Sequence, residues 1–402
     1  MKKLLVILNV VLIIVLAASL VFISRTDVFK RVLGHTETVT EITLVGFDTT
    51  TFVDREYVPP KPIDYYAENG IFELPINGAS GYASVRLNVY DDASWGANYL
   101  DTLDAGQGFT ILRESDSWWE IEYSGIRGWV EHTSLMINLP DVIPSIVYNN
   151  TNVTASVFRS SGIAIPNVTG LALYSAYGYN ARFGENQYVM PVLYSTAKKI
   201  CQAQHAALAD GNTLIIYEAF RPYSAQQLVY TNLSALISSN ATVAAGVTAS
   251  PWSISWFILQ GTSNHQVGYA MDVSLGRVVQ QEHPVVEGYV FTKTTVWEEY
   301  TMPTPIHELS AKSVVFTQPI TPNTSAWQSA TLASTMNNPA VLLQRYNTGA
   351  GFTPLASEWW HFNDSDTRAV VEPMGGTGSY IVSEAYSVPP QNLLLHPFDT
   401  NW

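Results

Sequence analysis

The sequence predicts an α+β protein, in which a larger domain with a small antiparallel sheet and flanking helices follows a small β-barrel. Two observations favour this class. Short alternating strands separated by turn residues fill residues 79–138, and from residue 139 onward helices and strands mix without a regular βαβ rhythm. The predicted order is a signal peptide or membrane anchor at 1–24, a linker at 25–78, the barrel at 79–138 and the larger domain at 139–402.

The N-terminal segment carries Lys2 and Lys3, followed by an apolar run from Leu4 to Ile23. This run has about the 20 residues that a helix needs to span a bilayer. No clean small-residue cleavage site follows it, so we favour an anchor over a long signal peptide. Either interpretation predicts that most of the chain is extracytoplasmic in a bacterium. A spacer rich in proline then leads to the barrel.

Composition excludes several kinds of protein. The 402 residues are 47% hydrophobic, which is enough for more than one core. Only 13% are charged and the net charge is −14, which argues against a general nucleic-acid role because phosphate binding needs clustered lysine and arginine. Cys201 is the single cysteine, so an internal disulfide and a cysteine-based zinc site are excluded. Its surroundings predict a buried thiol.

The barrel segment shows alternation at 85–90 and 118–123, a β-rich stretch at 109–112 and a turn at 124–125. It resembles the bacterial SH3 family in Leu-Asn-Val at 87–89, Gly106, Trp-Trp at 118–119 and Gly-Trp-Val at 128–130. The resemblance covers about 60 residues and depends on pattern more than on single residues. It implies that this domain binds cell-wall peptides. A spacer with an ordinary aromatic core is the alternative.

In the larger domain, the apolar spacing predicts an amphipathic helix over 193–210 that Gly211 ends, a strand over 213–217 and a second helix over 225–238. Asn338 and Pro339 predict the start of a third helix, as N-cap and first-turn proline, and Gly349 its end. Extended structure returns at 352 and at 358–362.

His265, Asp272 and His361 are the candidate metal ligands of this domain. Two imidazoles and one carboxylate can hold zinc and leave its fourth position for water, which is the ligand set of a catalytic site. A spacing of seven would put His265 and Asp272 on opposite faces of a strand, but a turn at Gly268 lets both aim at one point. Taken alone, this pair is better explained as a surface histidine and a turn aspartate.

The segment Glu358-Trp-Trp-His361 strengthens the hypothesis of a metallohydrolase. The two tryptophans exclude water, and apolar walls raise the pKa of a glutamate toward neutrality. Glu358 can then accept a proton from water and pass it to a leaving amine. The alternative is a tryptophan-rich core strand with a hydrogen-bonded histidine.

Segments 263–272 (Ser-Asn-His-Gln-Val-Gly-Tyr-Ala-Met-Asp) and 358–361 resemble the paired signatures of the zinc D-alanyl-D-alanine dipeptidase and carboxypeptidase family. The branch that the chain most resembles is the vancomycin-resistance-type dipeptidases. Three more segments agree in order: Glu-Ala-Phe-Arg-Pro-Tyr at 218–223, Met-Pro-Thr-Pro at 302–305 and the approach to the second signature at 342–358. Two signatures in the right order with a supporting arginine are specific.

The resemblance implies a role for each site residue. It implies one zinc ion per chain, and Arg221 would stabilise the oxyanion, although a structural salt bridge is its alternative. Ser263 would bind the charged amino end of the substrate, and Trp360 is a further substrate contact. The implied set is His265, Asp272 and His361 as zinc ligands, Glu358 and Arg221 as catalytic residues, and Ser263, His307 and Trp360 as substrate-binding residues.

One position departs from the family. The strict dipeptidases have an aspartate for the substrate ammonium after the 302–305 segment, whereas this chain has His307 there. Glu308 could substitute with a shift of one residue; otherwise a free amino end is not demanded and longer peptides enter. The apolar insert at 252–258 predicts a lid or cleft wall and, equally, added core.

Three functions remain open. The first is an exported zinc dipeptidase that cuts D-alanyl-D-alanine, which the motifs favour. The second is a D,D-carboxypeptidase that trims the terminal D-Ala from peptidoglycan stem peptides, which the expected location favours. The third is a wall-binding protein without catalysis, which the intact residue set argues against. The expected partners are the D-Ala-D-Ala substrate, the cell wall through the barrel and the membrane through the N-terminal segment, with no nucleic acid.

Overall fold

A computed structural model describes residues 60–391 of the protein. The predicted membrane segment at 1–24 and the part of the linker before residue 60 lie outside these residues. Among the helices of the described range, none combines the length and apolar character needed to cross a membrane.

The described chain alternates short strands and helices. The strands are β1 (Ile63–Asp64), β2 (Ser80–Ala83), β3 (Leu87–Tyr90), β4 (Tyr99–Leu103), β5 (Gly108–Ser115), β6 (Trp118–Tyr123), β7 (Ile126–Glu131), β8 (Leu135–Asn138), β9 (Val147–Tyr148), β10 (Arg159–Ser160), β11 (Ile163–Ala164), β12 (Tyr177–Asn180), β13 (Glu185–Tyr188), β14 (Pro191–Leu193), β15 (Asn212–Glu218), β16 (Ala270–Glu282), β17 (Val285–Val286), β18 (Tyr289–Val290), β19 (Lys293–Glu299), β20 (Thr353–Leu355) and β21 (Glu358–Asn363). The α-helices are α1 (Leu139–Val142), α2 (Tyr194–Ala209), α3 (Tyr223–Ser239), α4 (Ala241–Thr248), α5 (Ile254–Phe257), α6 (Asn264–Val267), α7 (Asn338–Gly349) and α8 (Ser365–Val371). Short 3-10 helices occupy Thr151–Val153, Ser325–Ser329 and Glu372–Met374.

Two sheets organise these elements. The eight-stranded sheet is antiparallel and has the order β14-β8-β2-β5-β6-β7-β3-β4. The six-stranded sheet has the order β20-β21-β16-β15-β9, with β19 also paired to β16. Only its β15–β9 pairing is parallel. The mixture of sheets and helices agrees with the predicted α+β class.

The strands predicted for the barrel segment are present as β3, β5, β6 and β7. Their inward side chains, such as Trp119 and Ile121, are fully buried, as the alternation requires. β14 comes from the predicted larger domain, yet it pairs with β8 and extends the same sheet. The described residues, 60–391, belong to one compact unit. The boundary at 138 and the SH3-like identity stay predictions.

The helices predicted in the larger domain are present as α2, α3 and α7. The cap of α7 was predicted wrongly. Asn337, and not Asn338, is the N-cap, because its side-chain oxygen accepts the backbone N–H of Ala340 at 3.2 Å. A capping side chain must stand before the first helical residue to reach the free N–H groups of the first turn. Gly349 is the last residue of α7, as predicted.

The structure confirms that Cys201 is buried.

The insert at 252–258 contributes both to the core and to a cleft wall, the two roles that were predicted for it. Trp252, Phe257 and Ile258 are buried in the main apolar core. Phe257 and Ile258 also line the cleft described below, together with Trp256.

Residues 375–391 form a C-terminal strap that packs on both parts of the molecule. Over the eight-stranded sheet, Tyr82 Oη donates to the carbonyl of Glu384 at 2.7 Å. At the start of α3, the N–H of Tyr223 donates to the carbonyl of Gly378 at 2.9 Å. The ring of Tyr380 stacks on Phe220 with centroids 5.1 Å apart. The strap therefore ties the barrel segment to the loop that precedes α3.

Candidate metal centre

Three adjacent strands place carboxylates and an imidazole in one row. Glu218 of β15 is in register with Asp272 of β16, which is in register with His361 of β21. Residues directly opposite each other on neighbouring antiparallel strands have Cβ atoms about 5 Å apart on the same face. The sheet thus brings together Asp272 and His361, which are 89 positions apart in the sequence.

His265 reaches the same point from α6. This short helix ends at Gly268, whose φ of 88° is left-handed, and β16 begins two residues later. The turn predicted at Gly268 is therefore confirmed, and it is a conformation that glycine adopts without strain. The reversal turns His265 back toward Asp272.

The three predicted ligands converge. His265 Nε2 lies 3.1 Å from His361 Nδ1 and 3.3 Å from Asp272 Oδ1, and His361 Nδ1 lies 3.0 Å from the same oxygen. A tetrahedral zinc ion with bonds of about 2.0–2.1 Å separates its ligand atoms by about 3.3 Å. These three atoms could therefore hold one metal ion without rearrangement of the side chains.

The other ring nitrogen of each histidine is also engaged. His265 Nδ1 lies 2.7 Å from the carbonyl of Ala219, so it carries the hydrogen and leaves Nε2 free to bind a metal. His361 Nε2 lies 2.9 Å from Asn363 Oδ1, which also accepts from Asn264 Nδ2 at 2.6 Å. Such outer contacts fix the tautomer and the orientation of metal-binding imidazoles.

Arg221 lies in the same cluster and is held by three acceptors. Its Nε donates to Glu218 at 2.6 Å, Nη1 to Gln226 at 2.7 Å and Nη2 to Asp272 Oδ2 at 3.0 Å. The guanidinium also lies 5.2 Å from the centre of the Phe158 ring. Both interpretations of Arg221 are compatible with this geometry, because the salt bridges that fix it also place it beside the candidate ligands.

The pKa shifts of His265 and Asp272 favour the protonation states that bind a metal. Burial lowers the pKa of His265, which favours the neutral imidazole that a metal requires. Burial alone would raise the pKa of Asp272, but its interactions with the surrounding histidines, His265 first, hold this pKa well below its usual value. Asp272 is therefore ionised and ready to act as a ligand.

Glu358 behaves in the opposite way. Burial, and then the negative charge of Asp272, raise the pKa of Glu358 well above its usual value, while Arg221 acts against this rise. Its Oε2 lies 3.9 Å from His361 Nδ1. A carboxyl group with a raised pKa beside a metal centre has the property expected of a proton-transfer group.

A cleft of about 650 Å³ opens over this cluster. Its floor includes the three candidate ligands, Arg221 and Glu358. Ser263 and Trp360, both predicted substrate contacts, line it as well. The structure therefore brings seven of the eight predicted site residues to one cleft.

The eighth, His307, lies behind the cleft and does not line it. Its side chain is 0% exposed and stacks on Phe158, and its Nε2 lies 3.2 Å from Asp272 Oδ2. Glu308 also points away, because its carboxylate accepts from the N–H of Gly162 and the hydroxyl of Ser310. This geometry does not support the predicted contact of His307 with substrate.

Several site residues escaped sequence reasoning. Asn363 stands two positions after His361 on one strand, so the shared strand face was a signal that could have found it. Glu218 lies in the segment 218–223 that resembles the family, but its place opposite Asp272 could not be predicted because it depends on strand pairing. Arg368 and Glu372, which also line the cleft, follow β21 in a region without a recognised motif.

Residues 192–301 match the family model VanY, described as D-alanyl-D-alanine carboxypeptidase. Over this range the chain is similar to the VanY family. The matched range contains Arg221, His265 and Asp272 but ends before Glu358 and His361, which join the VanY-like region through the pairing of β16 with β21.

A solved structure is also similar, a crystal structure of a glutamate-to-alanine mutant of the vancomycin resistance D,D-pentapeptidase VanY from a VanB-type cassette in complex with Zn(II). The match has 14% identity and covers 54% of this chain and 90% of that chain, with a TM-score of 0.23. A TM-score this low does not establish that the two proteins share a fold. No curated protein matches the chain.

Proposed function

We propose that this protein is an exported zinc D,D-peptidase that hydrolyses D-alanyl-D-alanine bonds of cell-wall peptides. The observation that carries the proposal is the convergence of His265, Asp272 and His361 within 3.0–3.3 Å of one another on the floor of a cleft. The VanY family match supports the substrate class.

The donor set fits zinc. Two neutral imidazoles and one carboxylate with a free fourth position are the ligands of catalytic zinc sites. Glu218 and Asp272 both pair with the guanidinium of Arg221, so a dication would offset the remaining negative charge of this buried cluster. When bound, zinc polarises the scissile carbonyl and makes water a stronger acid.

Glu358 is the proposed general base and acid. Its raised pKa suits a group that takes a proton from the attacking water and returns it to the leaving amine. Trp359 and Trp360 flank this region and are both buried, and Trp359 is fixed by a hydrogen bond from Nε1 to Thr304 Oγ1 at 2.9 Å. The tryptophans keep bulk water from the proton-transfer path.

Arg221 is the proposed oxyanion stabiliser. Three acceptors fix its guanidinium, and it lines the cleft. A guanidinium has five N–H groups, so this arrangement leaves donor capacity for the substrate. A preorganised cation beside the oxygen on which charge develops acts without a reorganisation cost at the moment of reaction.

The geometry favours the carboxypeptidase form over the strict dipeptidase. A free dipeptide needs a carboxylate for its ammonium group, and His307 and Glu308 both point away from the cleft. Among the described residues that line the cleft, the carboxylate outside the reaction cluster is Glu372, and it is paired with Arg368 at 2.5 Å. A blocked amino end, as in a stem peptide, makes no such demand.

Export and wall binding complete the proposal. The support for export is the basic and apolar character of residues 2–23. The support for a binding role of the barrel segment is an aromatic surface, in which Trp95 is 72% exposed and lies against Tyr90 and Trp118. A wall-binding protein without catalysis would not need the ordered cluster described above.

One comparison of substrates tests the enzyme forms. The full chain, loaded with zinc, is incubated separately with free D-Ala-D-Ala and with a stem pentapeptide that ends in D-Ala-D-Ala, and released D-Ala is measured. We expect release from the pentapeptide. Release from the free dipeptide alone would support the dipeptidase, and release from neither would refute the proposed activity.

A further inference from the structure

We propose that His307 is a positioning residue that orients the carboxylate of Asp272 for metal binding. The inference depends on the proposed metal centre and assigns this histidine a role different from substrate binding. It follows from how Asp272 divides its two oxygens between two sets of partners.

The two oxygens of Asp272 face opposite sides. Oδ1 faces His361 Nδ1 at 3.0 Å and His265 Nε2 at 3.3 Å, which is the side where the ligands converge. Oδ2 faces Arg221 Nη2 at 3.0 Å and His307 Nε2 at 3.2 Å. Two donors on Oδ2 hold the carboxylate plane, so that Oδ1 is presented to the metal as a single ligand.

The surroundings of the His307 ring assign its hydrogen to Nε2. His307 Nδ1 is buried and has no hydrogen-bond partner among the described residues. A hydrogen on Nδ1 would leave a buried N–H unsatisfied and would turn a lone pair toward the carboxylate of Asp272. A hydrogen on Nε2 avoids both costs, and the ring then donates to Oδ2.

The ring is held in this orientation from several directions. It stacks on Phe158 with centroids 4.2 Å apart and planes 15° apart, and it meets Trp360 edge to face with centroids 6.1 Å apart. The backbone of His307 has a φ of 60°, and its carbonyl accepts the N–H of Arg159 at 3.1 Å. A non-glycine residue at positive φ is uncommon, so surrounding contacts must maintain it.

A second metal ion is the competing explanation for this histidine. Glu218, Asp272 and His307 also lie close enough to one another to share an ion. The guanidinium of Arg221 already occupies that space, because it donates to both Glu218 and Asp272. Since a cation is present there, His307 acts as a donor and not as a ligand.

Two substitutions distinguish the effect of the hydrogen bond to Asp272 from the effect of the backbone conformation at position 307. In His307→Gln, the side-chain amide can reach the position of Nε2 and donate to Asp272, although glutamine is not favoured at positive φ. In His307→Asn, the residue tolerates positive φ, but its shorter side chain cannot reach Oδ2. If the hydrogen bond to Asp272 matters, His307→Gln should bind Zn(II) more tightly than His307→Asn. If only the backbone conformation matters, His307→Asn should bind more tightly.

The experiment measures Zn(II) affinity of the full-length protein by competition with a chromogenic chelator, with the thermal unfolding of each metal-free variant followed by circular dichroism. We expect His307→Asn to bind Zn(II) about 10–100-fold more weakly than wild type, as for other outer contacts of metal ligands. We expect His307→Gln to recover most of this loss.

Three results would overturn the proposal: wild-type affinity in His307→Asn, an equal loss in both variants, or a lost affinity that follows only the unfolding temperature of the metal-free protein. Failure of the wild-type protein itself to bind Zn(II) would instead refute the metal centre on which the inference depends.

Discussion

The two large sheets differ in what they bury. The eight-stranded sheet buries apolar side chains such as Trp119 and Ile121, and its one buried acid, Glu120, is paired with Arg113 and Arg127 near the surface. The six-stranded sheet buries a connected charged cluster on its central strands. Burying charges costs free energy that hydrophobic packing would not. The first sheet is therefore built for stability, and the second retains a costly arrangement that chemistry explains.

The largest effect is expected in the six-stranded sheet. Glu358→Gln keeps the shape of the side chain but removes its ability to take a proton. We expect kcat for D-Ala release to fall about 10²–10⁴-fold, which is the usual contribution of general acid–base catalysis. Zinc content, measured on the same preparation, should match wild type. Activity within a few-fold of wild type would remove Glu358 from the mechanism.

Substitutions in the core of the eight-stranded sheet should lower the free energy of unfolding and leave zinc binding unchanged. Trp119 is fully buried and packs edge-on against Tyr194 of α2, with centroids 4.7 Å apart. We expect Trp119→Ala to lower the free energy of unfolding by about 3–5 kcal/mol in urea denaturation. The Zn(II) affinity of the folded fraction should stay at the wild-type level. A specific loss of zinc binding without a loss of stability would show that the two sheets are not separate in function.

The pH dependence of stability sharpens the same contrast. Because the pKa of Glu358 is raised in the folded metal-free protein, the folded state holds a proton that the unfolded state releases as pH rises above the usual glutamate range. The free energy of unfolding therefore decreases as pH rises, because Glu358 is harder to ionise in the folded state than in the unfolded state. We expect metal-free Glu358→Gln to gain stability relative to wild type between pH 4 and pH 8. A difference that is constant with pH, measured by thermal unfolding, would contradict the raised pKa.

The smallest effect is expected on the exposed face of the barrel segment. Trp95 is 72% exposed, so Trp95→Ala should change the free energy of unfolding by less than about 0.5 kcal/mol. It is the matched control for Trp119→Ala, since both remove a tryptophan from the same segment. Sedimentation with purified wall sacculi tests the proposed binding role: undiminished sedimentation of this variant would show that Trp95 does not contribute.

Sequence reasoning was strongest where local spacing carries the information. The alternation at 118–123 and the apolar spacing at 193–210 predicted a strand and a helix, because each depends on a period within one element. The candidate ligands were found because two short signatures occur in the right order together with a supporting arginine. Gly268 predicted the turn that brings His265 to Asp272, since left-handed backbone favours glycine.

What sequence could not predict depends on long-range contacts. The position of His307 behind Asp272 follows from a positive φ and from stacking on Phe158, and neither has a local signature. The pairing of β14 with β8 and the path of the C-terminal strap likewise join segments that are distant in the chain. These contacts decide which residues face the cleft, and they changed the interpretation of His307 from a substrate contact to a support for a ligand.

The most direct test of the central claim is the zinc content of the full-length protein, measured by elemental analysis for wild type and for His361→Ala. We expect about one zinc ion per wild-type chain, as in catalytic zinc sites, and a large loss in the variant, because one of three converging ligands is gone. Equal zinc in the two proteins, or no zinc in the folded wild type, would contradict it.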